Sequence, residues 1–350
     1  MSMPQNPSGA PDPSHIMQVG MGFMASKVLL SAVELGLFSH LAAGPQSADA
    51  LRAKLELHPR SAVDFLDSLV ALGLLAREGV GQGAVYSNTP STATFLDRKS
   101  PAYIGGILEM ANARLYPFWG HLTEGLRTGA PQNEIKAAAP GSDLFAALYG
   151  DPAALEGFMA AMAGVQVGNF MALAGGAFDW SKVKTLADVG GASAALSVAV
   201  AQRHPHMRCS SFDLPAVAPI ARRRVEAAGV GDRVEVVSGD FMNDPLPRAD
   251  VITMGNILHD WGTDTKRMLI RKAYEALPAG GTFIAIEAVI DDDRRQNAFG
   301  LLMSLNMLIE TADGFDYTAS QFDTWCREAG FKSTRVVPLT GPTSAAIATK

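Results

Sequence analysis

The stretch Thr185-Leu186-Ala187-Asp188-Val189-Gly190-Gly191-Ala192-Ser193-Ala194 decides how this chain is read. Thr185–Val189 is a short apolar run of the kind that fills a buried parallel strand. Gly190 and Gly191 break it, and Ala194–Gln202 continues with a helical pattern. Strand, glycine turn and helix in that order form the opening unit of a doubly wound α/β sheet. The pattern repeats outward from it. Ser210–Phe212, Val234–Val237, Val251–Met254, Thr282–Ala288, Thr334–Pro338 and Ala345–Thr349 read as further strands, with a helix over Pro219–Ala228.

At 350 residues the chain suits two domains, and 48% hydrophobic content with a net charge of -6 excludes wholesale disorder. The acidic balance argues against a protein that lives on phosphate backbones. Cys209 and Cys326 are too few for a disulfide framework or a cysteine-built zinc site, so no metal is expected and a reducing, cytoplasmic setting is. Residues 1–14 hold Pro4, Pro7, Pro11 and Pro13 without a basic leader and read as a flexible arm. Gly157 to Phe178 carries no charge, but its glycines, Gln166 and Asn169 predict a buried helix rather than a membrane span.

Residues 15–105 read as a separate module. Met17, Met21, Met24, Val28 and Leu29 recur at the spacing of one buried helix face. Ser47–Leu55 and Ser61–Leu72 are helical runs. Leu74–Arg77 and Ala84–Ser87 flank Gly79, Gly81 and Gly83 as a hairpin would, and the outline is a winged helix. Its would-be recognition helix carries Asp64 and Asp67, which excludes phosphate-seeking and predicts no nucleic-acid partner. The apolar surplus of the first helices predicts a dimerisation module instead. Residues 106–180 follow as a helical linker with a loop marked by Pro131 and Pro140, and 181–350 form the α/β domain.

The chemistry gathers at strand ends, where open α/β sheets bind their ligands. Gly190 and Gly191 permit close backbone approach, and Asp213 ends the second strand where an acid can accept two ribose hydroxyls. The pyrophosphate-seating pattern G-x-G-x-x-G is absent, so S-adenosylmethionine fits better than a dinucleotide. Gly239-Asp240-Phe241 supplies an acid for an adenine amino group and a ring to pack on it. Asn256-Ile257-Leu258-His259-Asp260-Trp261 puts a histidine at the functional edge, where it can take a hydroxyl proton. Glu287 and Asp316 are acids that can orient its ring or stabilise its cation. His204 and His206 read as surface residues, Arg222–Arg224 as a solvated helix face, and Asp291–Asp293 as a solvated turn.

Asp188–Gly191, Phe212-Asp213-Leu214-Pro215, Gly239-Asp240 and above all His259-Asp260-Trp261 resemble the plant caffeate and acetylserotonin type of O-methyltransferase and its bacterial natural-product relatives. The resemblance covers residues 15–350. It implies a Rossmann-like, mostly parallel seven-stranded class I methyltransferase domain behind an N-terminal winged-helix dimerisation domain, and a homodimer through the N-terminal helices. It implies an S-adenosylmethionine site from Asp188, Gly190, Gly191, Asp213, Leu214, Gly239, Asp240, Phe241, Gly255 and Asn256, with His259 as general base beside Glu287 and Asp316. Phe158, Met162, Trp261, Asn306 and Met307 fall where such proteins line the pocket for a small aromatic or enolic hydroxyl substrate. The sequence departs from the pattern in three places: Ala192 and Ala194 of the loop replace glycines, Gly255 stands where plant members place lysine, and Asp316-Tyr317 replaces a glutamate before arginine. Transfer to carbon or sulfur, non-methylating chemistry and a ligand-sensing regulator are the alternative readings.

Overall fold

The computed structural model describes residues 11–137 and 152–350, so the first ten residues of the expected arm and Pro140 of the expected loop lie outside them. The chain divides into two compact units, up to Ala113 and from Arg114 onward.

The first unit packs the helices Gly22–Glu34, Leu37–Leu41, Ala48–Lys54 and Pro59–Ala71 against a small antiparallel sheet. Its strands are β1 (Gln46–Ser47), β2 (Leu75–Glu78) and β3 (Val85–Asn88), in the order β1-β3-β2. Leu37, Phe38, Leu51, Leu66, Leu69 and Tyr86 fill the core. β1 was not expected, because two residues carry no periodicity. Its Ser47 ends the strand and caps the next helix, accepting the Ala50 amide at 3.2 Å. Asp67 is not free in solvent: it accepts the Tyr86 hydroxyl at 2.8 Å and Arg77 at 2.6 Å, and these partners lower its pKa. The methionine face also differs from expectation. Met17, Met21 and Met24 are 56%, 43% and 49% exposed in the single chain, beside exposed Ile16, Val19 and Phe23. Periodicity marks an apolar face but does not say what covers it. The helical stretch Ser14–Glu34 is long and apolar enough to cross a membrane by composition alone.

The second unit is built on seven strands: β4 (Thr185–Val189), β5 (Arg208–Asp213), β6 (Val234–Ser238), β7 (Val251–Gly255), β8 (Thr282–Glu287), β9 (Ser333–Pro338) and β10 (Ser344–Thr349). Their order is β6-β5-β4-β7-β8-β10-β9, and β10 alone runs antiparallel to its neighbours β8 and β9. Alternate residues feed two cores. Ile284, Ile286, Ala345 and Ile347 pack on one face, and Phe283, Ala285, Ala346 and Ala348 on the other. β4 and β7 run parallel, but the strand order progresses in opposite directions on either side of them, and the carboxyl ends at such a switch point are where open α/β sheets place their ligands.

The uncharged stretch forms most of the helix Pro152–Ala172, whose described side chains include both buried and exposed ones. Gln166 and Asn169 are buried and bonded to each other at 3.0 Å, whereas Val167 and Met171 are exposed. His204 is half-buried, with Nε2 2.8 Å from the Ala174 carbonyl, so only His206 is the surface residue expected.

Candidate active site at the carboxyl ends of the strands

The loop after β4 is fixed by its own backbone. Gly190 has φ +68°, and a Cβ there would lie 2.3 Å from the Ile257 side chain; one on Gly191 would lie 2.3 Å from Ser211 Oγ. Ala192 and Ala194 adopt φ values of 48° and 60°, so both alanines keep the left-handed backbone that glycine would take without strain. The departures from the glycine-rich pattern therefore change side chains, not the course of the loop.

Asp213 closes β5 and reaches into this loop. Its Oδ2 accepts the Ala192 amide at 2.8 Å and its Oδ1 the Leu214 amide at 2.7 Å. Each oxygen keeps a lone pair for a ligand hydroxyl. Burial raises the Asp213 pKa to about 6, against these two amides, which lower it. Asp188 sits deeper, 4% exposed, and accepts the Thr253 hydroxyl at 2.8 Å. Burial pushes its pKa up to about 7. Its bond lies inside the sheet, between β4 and β7. Asp240 is partnered within its own turn, accepting the Met242 amide at 2.8 Å and the Asn243 side chain at 2.6 Å. Gly239 before it lets the Phe212 ring approach, since a Cβ would meet that ring at 2.4 Å. Phe241 and Trp261 are half-buried and meet edge to face at 6.3 Å. Asn256 takes φ +52°, turning the chain out of β7 beside Gly255.

His259 stands on a single 3₁₀ turn, Leu258–Asp260, and is 6% exposed. Its Nδ1 lies 3.5 Å from Asp316 Oδ1, and its Nε2 lies 3.5 Å from Asp260 Oδ1. Glu287 holds the turn rather than the ring: its Oε1 accepts the amides of Ile257 and His259, both at 3.1 Å. The expected ring partner is thus corrected from Glu287 to Asp260, the neighbour whose role the sequence did not signal. Burial pulls the His259 pKa down, but Asp260, Asp316 and Glu287 outweigh it and raise it to about 10. Burial raises Asp260 to about 7. Asp316 is 1% exposed, and neither of its oxygens makes a hydrogen bond in the described structure. Gly314 allows its loop to lie against the histidine turn, because a Cβ there would meet the carbonyls of His259 and Asp260 at 2.6 Å.

The expected substrate-lining residues divide. Phe158 packs with Ala192 on Leu155, Met159 and Val217, which brings it to the cofactor loop. Met162 and Asn306 are half-buried, and Asn306 Oδ1 accepts the indole N–H of Trp119 at 2.9 Å, a partner not anticipated. Met307 is 5% exposed and belongs to the packing of the helix Ala298–Glu310. Asp291 holds its turn by accepting the amides of Arg295, Gln296 and Asn297. Surface hollows of about 330 and 590 Å³ lie at the opposite, amino ends of the strands and contain none of these groups.

The arrangement suits a cationic nucleoside cofactor. Asp260 and Asp316 flank the imidazole and Glu287 holds its turn, an acidic setting that suits a sulfonium, while Asp213 and the glycine loop offer a ribose contact. Comparison with known proteins agrees. A family model for the O-methyltransferase domain matches residues 119–332, and one for the O-methyltransferase dimerisation domain matches residues 17–98. The tetracenomycin polyketide synthesis 8-O-methyl transferase TcmO of Streptomyces glaucescens is 42% identical, with 97% of each chain covered. Acetylserotonin O-methyltransferase of Bos taurus is 35% identical over 96% of this chain and 97% of its own. Among solved structures, human N-acetylserotonin methyltransferase in complex with S-adenosylmethionine superposes with a TM-score of 0.89, at 30% identity and 99% coverage of both chains.

Proposed function

This chain belongs to the S-adenosylmethionine-dependent O-methyltransferases, and from that membership we propose that it methylates a phenolic hydroxyl of a polycyclic aromatic metabolite with His259 as the base. The observation that carries the reading is the buried imidazole held between Asp260 and Asp316 on a turn clamped by Glu287. S-adenosylmethionine, when bound, supplies a methyl group on a sulfonium that is already a good leaving group. The protein's task is therefore alignment and proton removal.

Asp213 would hold the ribose hydroxyls and Phe241 the adenine ring, with Asp240 offering the lone pairs its turn partners leave free. His259 takes the phenol proton as the oxygen attacks. The same acids that raise its pKa, Asp260, Asp316 and Glu287, stabilise the imidazolium that this transfer forms. The proton then rests on an imidazolium flanked by two carboxylates. In this reading Phe158, Met162 and Trp261, each half-buried, serve as apolar contacts for a flat acceptor, and Asn306 as a polar one. The aromatic acceptor class rests on the polyketide 8-O-methyl transferase likeness.

The exposed stripe of Met17, Met21, Phe23 and Met24 lies in the matched dimerisation domain, and a second copy of the chain is its occupant in this reading. A cytoplasmic location and the absence of a nucleic-acid partner go with it.

The experiment is His259→Ala, assayed with a polycyclic phenol and S-adenosylmethionine. Turnover falls by about a hundredfold or more, while S-adenosylhomocysteine binding by calorimetry is unchanged. Wild-type turnover in this variant refutes the base assignment.

A further inference from the structure

Lys266 carries a charge for which the reaction as derived has no use. It is fully buried, in the first turn of the helix Thr263–Ala276. Helical side chains lean toward the amino end, and its Nζ donates to the carbonyl of Trp261, two residues beyond His259. The ammonium also lies 3.6 Å from the Phe315 ring centroid, one residue before Asp316. A single side chain thus bears on both loops that flank the imidazole.

A lysine is disfavoured there on two counts. Burial strips its hydration, and the amino end of a helix repels a cation. Four acids, Glu287, Asp316, Asp313 and Asp260, act against this without outweighing burial. Three of them, Asp260, Glu287 and Asp316, are the acids that act on His259. Asp313 lies beside Gly262 at the start of the same helix, where a Cβ would meet its carboxylate at 2.2 Å. Tyr317 faces Glu287 and Asp316, with Cys326 behind it.

We propose that Lys266 is a positioning residue for the base: it shares the carboxylates of Asp260, Glu287 and Asp316 with His259, keeps them ionised, and limits how strongly they hold the imidazole proton. The proposal rests on the reading of His259 as base. Without Lys266 the same carboxylates face one cation instead of two, and the coupled cluster holds its protons to higher pH. Burial lowers the lysine to about 8 and the surrounding acids act against it, while the Trp261 carbonyl and the Phe315 ring fix where the ammonium sits.

The test replaces the charge and keeps the shape. Lys266→Met and Lys266→Gln are compared with wild type by NMR titration of the His259 ring, assigned by its loss in His259→Ala, and by the pH profile of kcat/KM. Gln retains a donor for the Trp261 carbonyl and carries the test if Met does not fold. The expected result is an upward move of the imidazole midpoint by about one pH unit, with the ascending limb of the profile moving alongside. Below the midpoint this is about a tenfold loss, recovered at higher pH. An unmoved midpoint, with activity lowered equally at all pH, overturns the proposal and leaves Lys266 a packing residue. Full turnover in His259→Ala instead overturns the base reading, and the ring titration keeps the two failures apart.

Discussion

Ala192→Gly should stabilise the protein, and its neighbour Ala194→Gly should not. Both alanines hold left-handed backbone, at φ 48° and 60°. An L-residue confined there costs about 1–2 kcal/mol, which glycine removes. Glycine also frees the unfolded chain, which costs back about 0.5–1 kcal/mol. At Ala192 the methyl is half-buried at the edge of a small cluster, so the strain relief prevails by about 0.5–1 kcal/mol. At Ala194 the methyl is fully buried in the larger core, and losing it costs about 0.8 kcal/mol more, which cancels the gain. In thermal melts Ala192→Gly should therefore raise Tm by about 1–4 °C and Ala194→Gly should leave it in place. The Ala192 amide that serves Asp213 survives the change, so S-adenosylhomocysteine affinity should hold. An Ala192→Gly protein that melts below wild type, or an Ala194→Gly protein that gains equally, would refute the reasoning.

Asp188 has its pKa raised by burial to about 7, above its unfolded value, so its stabilising contribution is full below about pH 4 and is lost as pH rises through 7. Asp188→Asn never ionises and can still accept from Thr253, so its stability should fall less steeply than that of wild type in denaturant titrations across this range; equal slopes would count against the burial argument. Met17→Glu combined with Phe23→Glu places charge on the exposed apolar stripe and should convert a dimer to monomers in sedimentation velocity, while a wild-type sedimentation profile in the double variant would remove the stripe from the interface.

The α/β half was legible because its strands are buried on both faces and therefore read as apolar runs. Thr185–Val189 stands in the fold with the bounds its sequence gives. The positions of Asp213, His259 and Asp316 at the functional edge were legible too, since each follows a recognisable strand or turn. The role of Asp260 was hidden, because a residue beside a histidine gives no sign of turning back onto its ring. Lys266 was hidden for a related reason: amid Asp264 and Arg267 its sequence looks like an exposed helix start, and only the fold buries it. The partner of Asn306 was beyond reach, because Trp119 comes from a helix 187 positions away.

Glu287 grips main-chain amides, and an amide is the same whatever side chain it carries. The shape of the turn after β7 is thus insulated from the identities of Ile257 and His259. Selection could exchange the residue at 259 without first rebuilding its platform, and so could a protein engineer. A new acid, base or nucleophile placed there inherits a rigid mount and a ready acidic flank. Diversification on this scaffold is accordingly cheap at that position and costly at Glu287, whose loss unfastens every chemistry the turn could bear.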